Sequence, residues 1–235
     1  MLARLRRTTL DLLFPLRCVH CGRFGTLLCV PCESAMESAS GPGRCPHCRA
    51  RWQGSGNCPR CFGLQSLDGV LAPFEMTGAA RKVVHALKYQ HVRPVAEVMA
   101  APLLAASTGH SFDAFFSVPL HRSRERERGF NQSELLVRAA GWPPPTGSLT
   151  RSRRTSRQVG LHEGERRANV AGAFQYRGPA LDGLRVALVD DVVTTGATVQ
   201  ECARVLKAEG AREVWAIAYA RASYNFGPAN AAIEE

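Results

Sequence analysis

LRVALVDDVVTTGAT, residues 184–198, is the stretch on which the reading of the whole chain turns. It opens with a continuous apolar run, Val186 to Val189, which fits a buried strand of a parallel sheet. The run ends at Asp190 and Asp191, then passes through Thr194, Thr195, Gly196, Ala197 and Thr198 into a helix. Val199, Cys202, Ala203 and Leu206, at i, i+3, i+4 and i+7, predict the apolar face of that helix, and Gly210 stands where a C-terminal cap belongs. Strand, loop and helix in this order put the loop at the carboxyl end of a sheet, where open α/β folds bind ligands.

The loop chemistry follows from that placement. A helix start presents backbone N–H groups and the positive end of the helix dipole, so a phosphate is stabilised there. Gly196 allows a positive φ and a close backbone approach, and Thr194, Thr195 and Thr198 add hydroxyl donors. Two adjacent carboxylates would repel a bare phosphate, so something neutral or cationic has to lie between. Ribose hydroxyls and a hard cation such as magnesium both suit that gap. The pattern therefore predicts a site for a ribose 5-phosphate, with Asp190 and Asp191 as its catalytic pair. The lysine of a Walker A loop is absent. The competing reading is a tight turn in which one aspartate caps the helix and Thr and Gly merely form the bend.

Eight of the nine cysteines fall in the first 61 residues as C-x-x-C pairs: Cys18/Cys21, Cys29/Cys32, Cys45/Cys48 and Cys58/Cys61. Two such pairs complete a four-thiolate tetrahedral site, so eight ligands predict two structural zinc ions. A segment this short has little core of its own, and metal would supply most of its folding free energy. A disulfide framework competes, but no signal peptide accompanies these cysteines. The pairs can combine sequentially or interleave as a cross-brace. His20 and His47 lie inside knuckles as substitute ligands the eight cysteines do not need, and Cys202 reads as a buried core thiol.

Between these landmarks, Asp68–Met76 and Phe112–Val118 read as strands and Gly78–Lys88 as a helix with Ala80, Val83, Val84 and Leu87 on one face. Pro94–Ser107 reads as a second helix, bent or broken near Pro102. In Arg122–Arg128 arginine alternates with Ser123, Glu125 and Glu127, as in a self-neutralising solvated loop, and Asn131 and Glu134 have capping-box spacing ahead of a further helix. Gly141–Gly183 is too long for a simple connection and reads as a lid rich in arginine, including Arg151, Arg153, Arg154, Arg157, Arg166 and Arg167. Glu213–Ala220 closes the sheet, and Asn225–Glu235 reads as a disordered tail.

VALVDDVVTTGAT resembles the phosphoribosyl-pyrophosphate (PRPP) signature of type I phosphoribosyltransferases. Together with the cysteine-rich start, Leu87-Lys88-Tyr89, VPLHRSRERERGFNQ and RQVGLHEGERRANV, it resembles the ComF family of competence-associated proteins over nearly the whole chain. The resemblance implies a type I phosphoribosyltransferase fold, a parallel sheet flanked by helices, over residues 64–235, after a double zinc module over 1–63 with sequential cysteine pairing. It further implies PRPP with magnesium as ligand, Lys88 as a phosphate contact, and Pro119, Leu120, His121 and Arg122 as the pyrophosphate loop. Arg151, Arg153, Arg154, Arg157 and Gln158 resemble the flap that closes over PRPP in this fold. Single-stranded DNA during natural transformation and a DNA-uptake helicase are the implied partners. A catalytic phosphoribosyltransferase with an unidentified acceptor, or a PRPP-sensing regulator, are the other readings; no stretch identifies a nucleobase hood.

Composition bears on partners and place. The net charge is +10, and of 30 basic residues only Lys82, Lys88 and Lys207 are lysine. Arginine's planar fork suits phosphate, so a polyanionic ligand is the natural inference. Around the cysteines, Arg17, Arg23, Arg44, Arg49, Arg51 and Arg60 with Trp52 and Phe62 could engage nucleic acid, or form a solvated basic surface. Met1–Pro15 reads as an amphipathic leader resting on its own domain, since Asp11 interrupts a signal-peptide core and no run approaches the roughly 18 apolar residues that span a bilayer. The expected location is the cytoplasm, at the inner face of the membrane.

Overall fold

The computed structural model describes residues 15–153 and 168–222. The leader up to residue 14, flap residues Arg154, Arg157, Gln158, Arg166 and Arg167, and the tail Asn225–Glu235 lie outside the described residues. After a short helix α1 (Val30–Ser34) come β1 (Gly69–Leu71), β2 (Phe74–Glu75), α2 (Gly78–Tyr89), α3 (Val95–Ser107) and β3 (Ala114–Ser117). Then follow α4 (Arg122–Arg128), α5 (Gln132–Ala139), β4 (Ser148–Arg151), β5 (Phe174–Arg177), β6 (Arg185–Val193), α6 (Ala197–Ala208) and β7 (Glu213–Arg221). The main sheet runs β1-β7-β6-β3, with β2 also on β7, and every pairing in it is parallel.

Alternation along β6 builds a core on each face of the sheet. Val186 and Leu188 pack with Val199, Cys202, Ala203 and Leu206 of α6. Ala187 and Val189 pack with Val83, Val84 and Leu87 of α2, Met99 of α3 and Leu136 of α5. The predicted parallel sheet flanked by helices is thus present, and the i, i+3, i+4, i+7 set chosen for α6 is its buried face. Gly210 has φ +96 and closes α6: its N–H reaches Lys207 O, and that of Ala211 reaches Leu206 O.

The structure corrects five expectations. β6 does not stop at the aspartates but stays in register with β7 as far as Val193 opposite Arg221. The strand expected over 68–76 is two pieces separated by Ala72 and Pro73, because proline has no N–H for the ladder. α3 continues through Pro102, so of the bend or break expected there the break is absent. The alternating Arg/Glu run is helical: the His121 side chain accepts from Ser123 N at one end, and Gly129 (φ 75) closes the other. Lastly, the connection 141–183 contains an antiparallel ribbon, β4 on β5, with Arg151 opposite Phe174.

The cysteine-rich segment packs on the sheet rather than beside it. Ala39 N donates to Pro73 O and Glu75 N to Glu37 O, which occupies the backbone beside β2. Cys18, Cys29 and Cys32 belong to the core on the α2 face, and Cys45, Cys48 and Cys58 to the core on the α6 face.

Candidate functional site

Asp190 and Asp191 are neighbours in the last part of β6, and both carboxyls lie close enough to Lys88 to act on its charge. Asp191 is buried, 1% exposed, and Lys88 Nζ from the last turn of α2 lies 3.1 Å from its Oδ2. Lys88, expected to touch phosphate, is therefore placed against the acid pair. Burial opposes its charge, yet the two aspartates hold its pKa above the ordinary 10.5. Asp190 is half-buried, and its Oδ1 accepts from Ser133 Oγ at 3.0 Å and from Asp191 N at 2.9 Å.

Burial and then the Asp191 charge push the Asp190 carboxyl from 3.8 up to about 7, with Lys88 offsetting part of the rise. The sign follows directly. The folded protein holds a proton that the unfolded chain releases near 4, so without ligand the stability falls as pH rises from about 4 to 7. Solvent at the half-open carboxylate screens the effect to about 1–2 kcal/mol. Asp190→Asn is expected to flatten that slope in denaturation curves at pH 5 and pH 7.5; an unchanged slope would remove Asp190 as its source.

The loop after β6 turns on Gly196, whose φ is +83. Thr195 Oγ1 accepts from Ala197 N at 3.3 Å, and Gln200 N donates to Gly196 O at 2.8 Å to begin α6. Thr195, Gly196 and Ala197 are buried, while Thr194 and Thr198 are half-buried. The Thr195 hydroxyl oxygen thus helps shape the turn as an acceptor, which leaves its own O–H to donate. The side of Gly196 where a Cβ would stand is filled by Leu64, with Cδ2 2.3 Å from that position.

The predicted pyrophosphate loop lines a cleft of about 420 Å³. Pro119, Leu120, His121 and Arg122 form one wall, and Arg151 and Gln175 of the β4–β5 ribbon face them. None of residues 194–198 lines it. The two regions meet through the start of α5: Asn131 borders the cleft, accepts from Ser133 N and donates to Val118 O, while Ser133 holds Asp190. Arg151 is 8% exposed; burial first, and the Arg124 charge second, pull its pKa down to about 10. Ser133 and Gln175 escaped the sequence reading, because only tertiary packing brings them to the site, whereas Arg151 was expected there as part of the flap.

The eight N-terminal thiols gather sequentially, Cys18, Cys21, Cys29 and Cys32 in one set and Cys45, Cys48, Cys58 and Cys61 in the other. The ligand atoms of each set lie within 4.8 Å of one another. Cys21 and Cys29 Sγ are 3.6 Å apart, Cys45 and Cys61 3.6 Å, and Cys48 and Cys58 3.8 Å. A tetrahedron with metal–sulfur bonds near 2.3 Å has edges of about 3.8 Å, so each set fits one zinc ion. His47 Nδ1 lies 3.5 Å from Cys61 Sγ, outside a set already complete. Several of the surrounding basic residues are engaged internally. Arg44 binds buried Glu75 and Glu37, Arg51 binds Glu37, and Arg49 donates to Val70 O. Arg17 stacks on Phe24 at 3.8 Å, and Phe62 is 79% exposed.

No helix among the described residues is long and apolar enough to cross a membrane. No family model matches the chain. Curated relatives do. DNA utilization protein YhgH of Salmonella typhimurium is 33% identical, covering 85% of this chain and 87% of that one. Competence protein F of Haemophilus influenzae is 30% identical over 88% of this chain and 98% of its own length, and competence protein ComFC of Streptococcus pneumoniae is 29% identical over 80% and 84%. Among solved structures, a phosphoribosylpyrophosphate synthetase from Mycobacterium smegmatis superposes with TM-score 0.32 at 16% identity, over 53% of this chain and only 33% of that one. A hypoxanthine phosphoribosyltransferase from Staphylococcus aureus superposes with TM-score 0.34 at 11% identity, over 59% and 69%.

Proposed function

We infer that this chain, which belongs to the ComF family of competence and DNA utilization proteins, binds PRPP or a related ribose 5-phosphate at the end of β6. The observation that carries this is the acid pair itself. Asp190 and Asp191 lie near the carboxyl end of β6, which continues to Val193, and the Gly196 turn then opens α6. Burial and the adjoining Asp191 charge raise the Asp190 pKa, and a hard cation such as magnesium beside the pair would offset both. Asp190 and Asp191 would hold the ribose hydroxyls and that ion; when bound, magnesium supplies countercharge to the pyrophosphate. The turn at Thr194–Thr198 orients the 5-phosphate, Pro119–Arg122 receives the pyrophosphate, and Lys88 fixes Asp191. The two cysteine sets hold one structural zinc ion each.

Calorimetry with PRPP and magnesium tests this reading. The native protein is expected to release or absorb heat with a saturable isotherm, and Asp190→Ala combined with Asp191→Ala to lose it. A flat native titration would sink the assignment.

Two further activities rest on this site. Transfer of the phosphoribosyl group to an acceptor is favoured by the adjoining cleft, which leaves room beside the pyrophosphate loop. Binding of single-stranded DNA, with an uptake helicase as partner, is favoured by the +10 charge and by α4, where Arg122, which lines the cleft, and Arg126 are exposed. With about five phosphate contacts, the affinity for an oligonucleotide should fall roughly 100-fold between 50 and 200 mM salt. A gel shift insensitive to salt would exclude that mode.

A further inference from the structure

Arg221, the last residue of β7, is 1% exposed, and its guanidinium is shared among four carbonyls. Nε donates to Cys48 O at 2.8 Å, while Nη1 donates to Val193 O at 2.8 Å, to Ala222 O at 3.0 Å and to Thr194 O. Cys48 belongs to the second cysteine set, and Val193 and Thr194 lead into the turn assigned to the 5-phosphate. Two other links join the same parts. Leu64, three residues after Cys61, fills the space at Gly196. Ser66 and Gln200 of α6 exchange two hydrogen bonds, of 3.0 and 2.9 Å.

The first cysteine set is placed differently, in the core on the opposite face of the sheet. The second shares its core with Val193, Ala197 and Val199. Charge adds to geometry. Four thiolates on one zinc ion carry a net charge of −2, and a buried guanidinium beside Cys48 complements it. An emptied, protonated set loses that complement.

We propose that Arg221 is a positioning residue through which the second zinc site, and not the first, sets the Thr194–Thr198 turn, so that PRPP affinity and retention of that one zinc ion are coupled. The coupling rests on the reading of that turn as a PRPP site. It is reciprocal by thermodynamic necessity: whatever the second metal does for PRPP, PRPP does for the second metal.

The test uses the full chain and follows zinc transfer to a chromogenic chelator, with and without saturating PRPP and magnesium. Two release phases are expected, one slowed about fivefold or more by PRPP and the other unchanged. The variant Cys18→Ser with Cys21→Ser should keep only the slowed phase. Arg221→Met should retain zinc in both sets but lose the protection and weaken PRPP binding about tenfold in calorimetry, and Arg221→Lys, with fewer donors, should fall between. If Arg221→Met does not fold, the native release curves still decide. PRPP that binds with measurable heat yet slows both phases equally, or neither, overturns the coupling alone. Absence of any PRPP heat overturns the ligand assignment and the coupling with it.

Discussion

Gly196→Ala is expected to lower the melting temperature by about 10 °C and to abolish detectable PRPP binding. Two separate costs combine. Alanine at φ +83 sits in the left-handed region, worth about 1–2 kcal/mol against a residue with a Cβ. The new methyl also meets Leu64 Cδ2 at 2.3 Å, and Leu64 is fully buried, so relief means moving packed atoms at about 1–3 kcal/mol. For a chain of this size a loss of about 2–5 kcal/mol corresponds to roughly 5–15 °C. Because Leu64 adjoins the second cysteine set, the strain is relieved most readily by displacing the turn, which is the part PRPP would contact. Calorimetry and thermal melts of the variant check both halves. A variant that melts like the parent and binds normally would mean that the turn tolerates a side chain, and the close approach of Leu64 would then have no bearing on the site.

The second large effect concerns Arg44 and Glu75. The Glu75 side chain is 2% exposed and that of Arg44 6%, with Glu37 completing the pair from solvent. Removing one partner of a buried ion pair typically costs about 3–5 kcal/mol, since the remaining charge stays in a poor environment. Arg44→Met deprives Glu75 of the cation bound to its Oε2, and the nearby Arg51, whose Nε is 3.9 Å away, has a side chain 49% exposed. The expected result is a urea midpoint lower by about 2 M. Replacing both members, Arg44→Met with Glu75→Leu, should restore most of the loss, because no charge then remains to be solvated. If the double variant is as unstable as the single one, the loss comes from packing around β2 rather than from the stranded carboxylate.

What was legible in the sequence was local. Val186–Val189 marked a strand, the α6 periodicity marked its buried face, and C-x-x-C spacing marked the ligand sets, because each signal is complete within a few residues. The charge run at Arg122–Arg128 misled, since its alternation hides i, i+4 neighbours and the helix is decided by its caps, His121 and Gly129. The ribbon inside 141–183 was hidden because β4 and β5 are short and far apart in sequence. Arg221 gave no sign at all. An arginine ending an apolar strand looks like a surface residue, and only the carbonyls of Cys48, Val193 and Thr194 gathered around it make it central. Similarly, nothing near Lys88 announced Asp191, 103 positions later, as its partner.

The strand that arrives last, β7, lies between β1 and β6 and also carries β2. During synthesis the eight thiols therefore leave the ribosome long before the strand that supports Cys48 exists. Capturing metal early would keep them reduced while the nascent sheet still has an empty slot at its middle. Insertion of that final strand then joins every layer in one event, so folding should be cooperative and slow, as expected where the decisive contacts are distant in sequence. A ribosome stalled before Arg221 would hold a chain whose sheet lacks its central strand, with only the metal-bound cysteine segment able to fold.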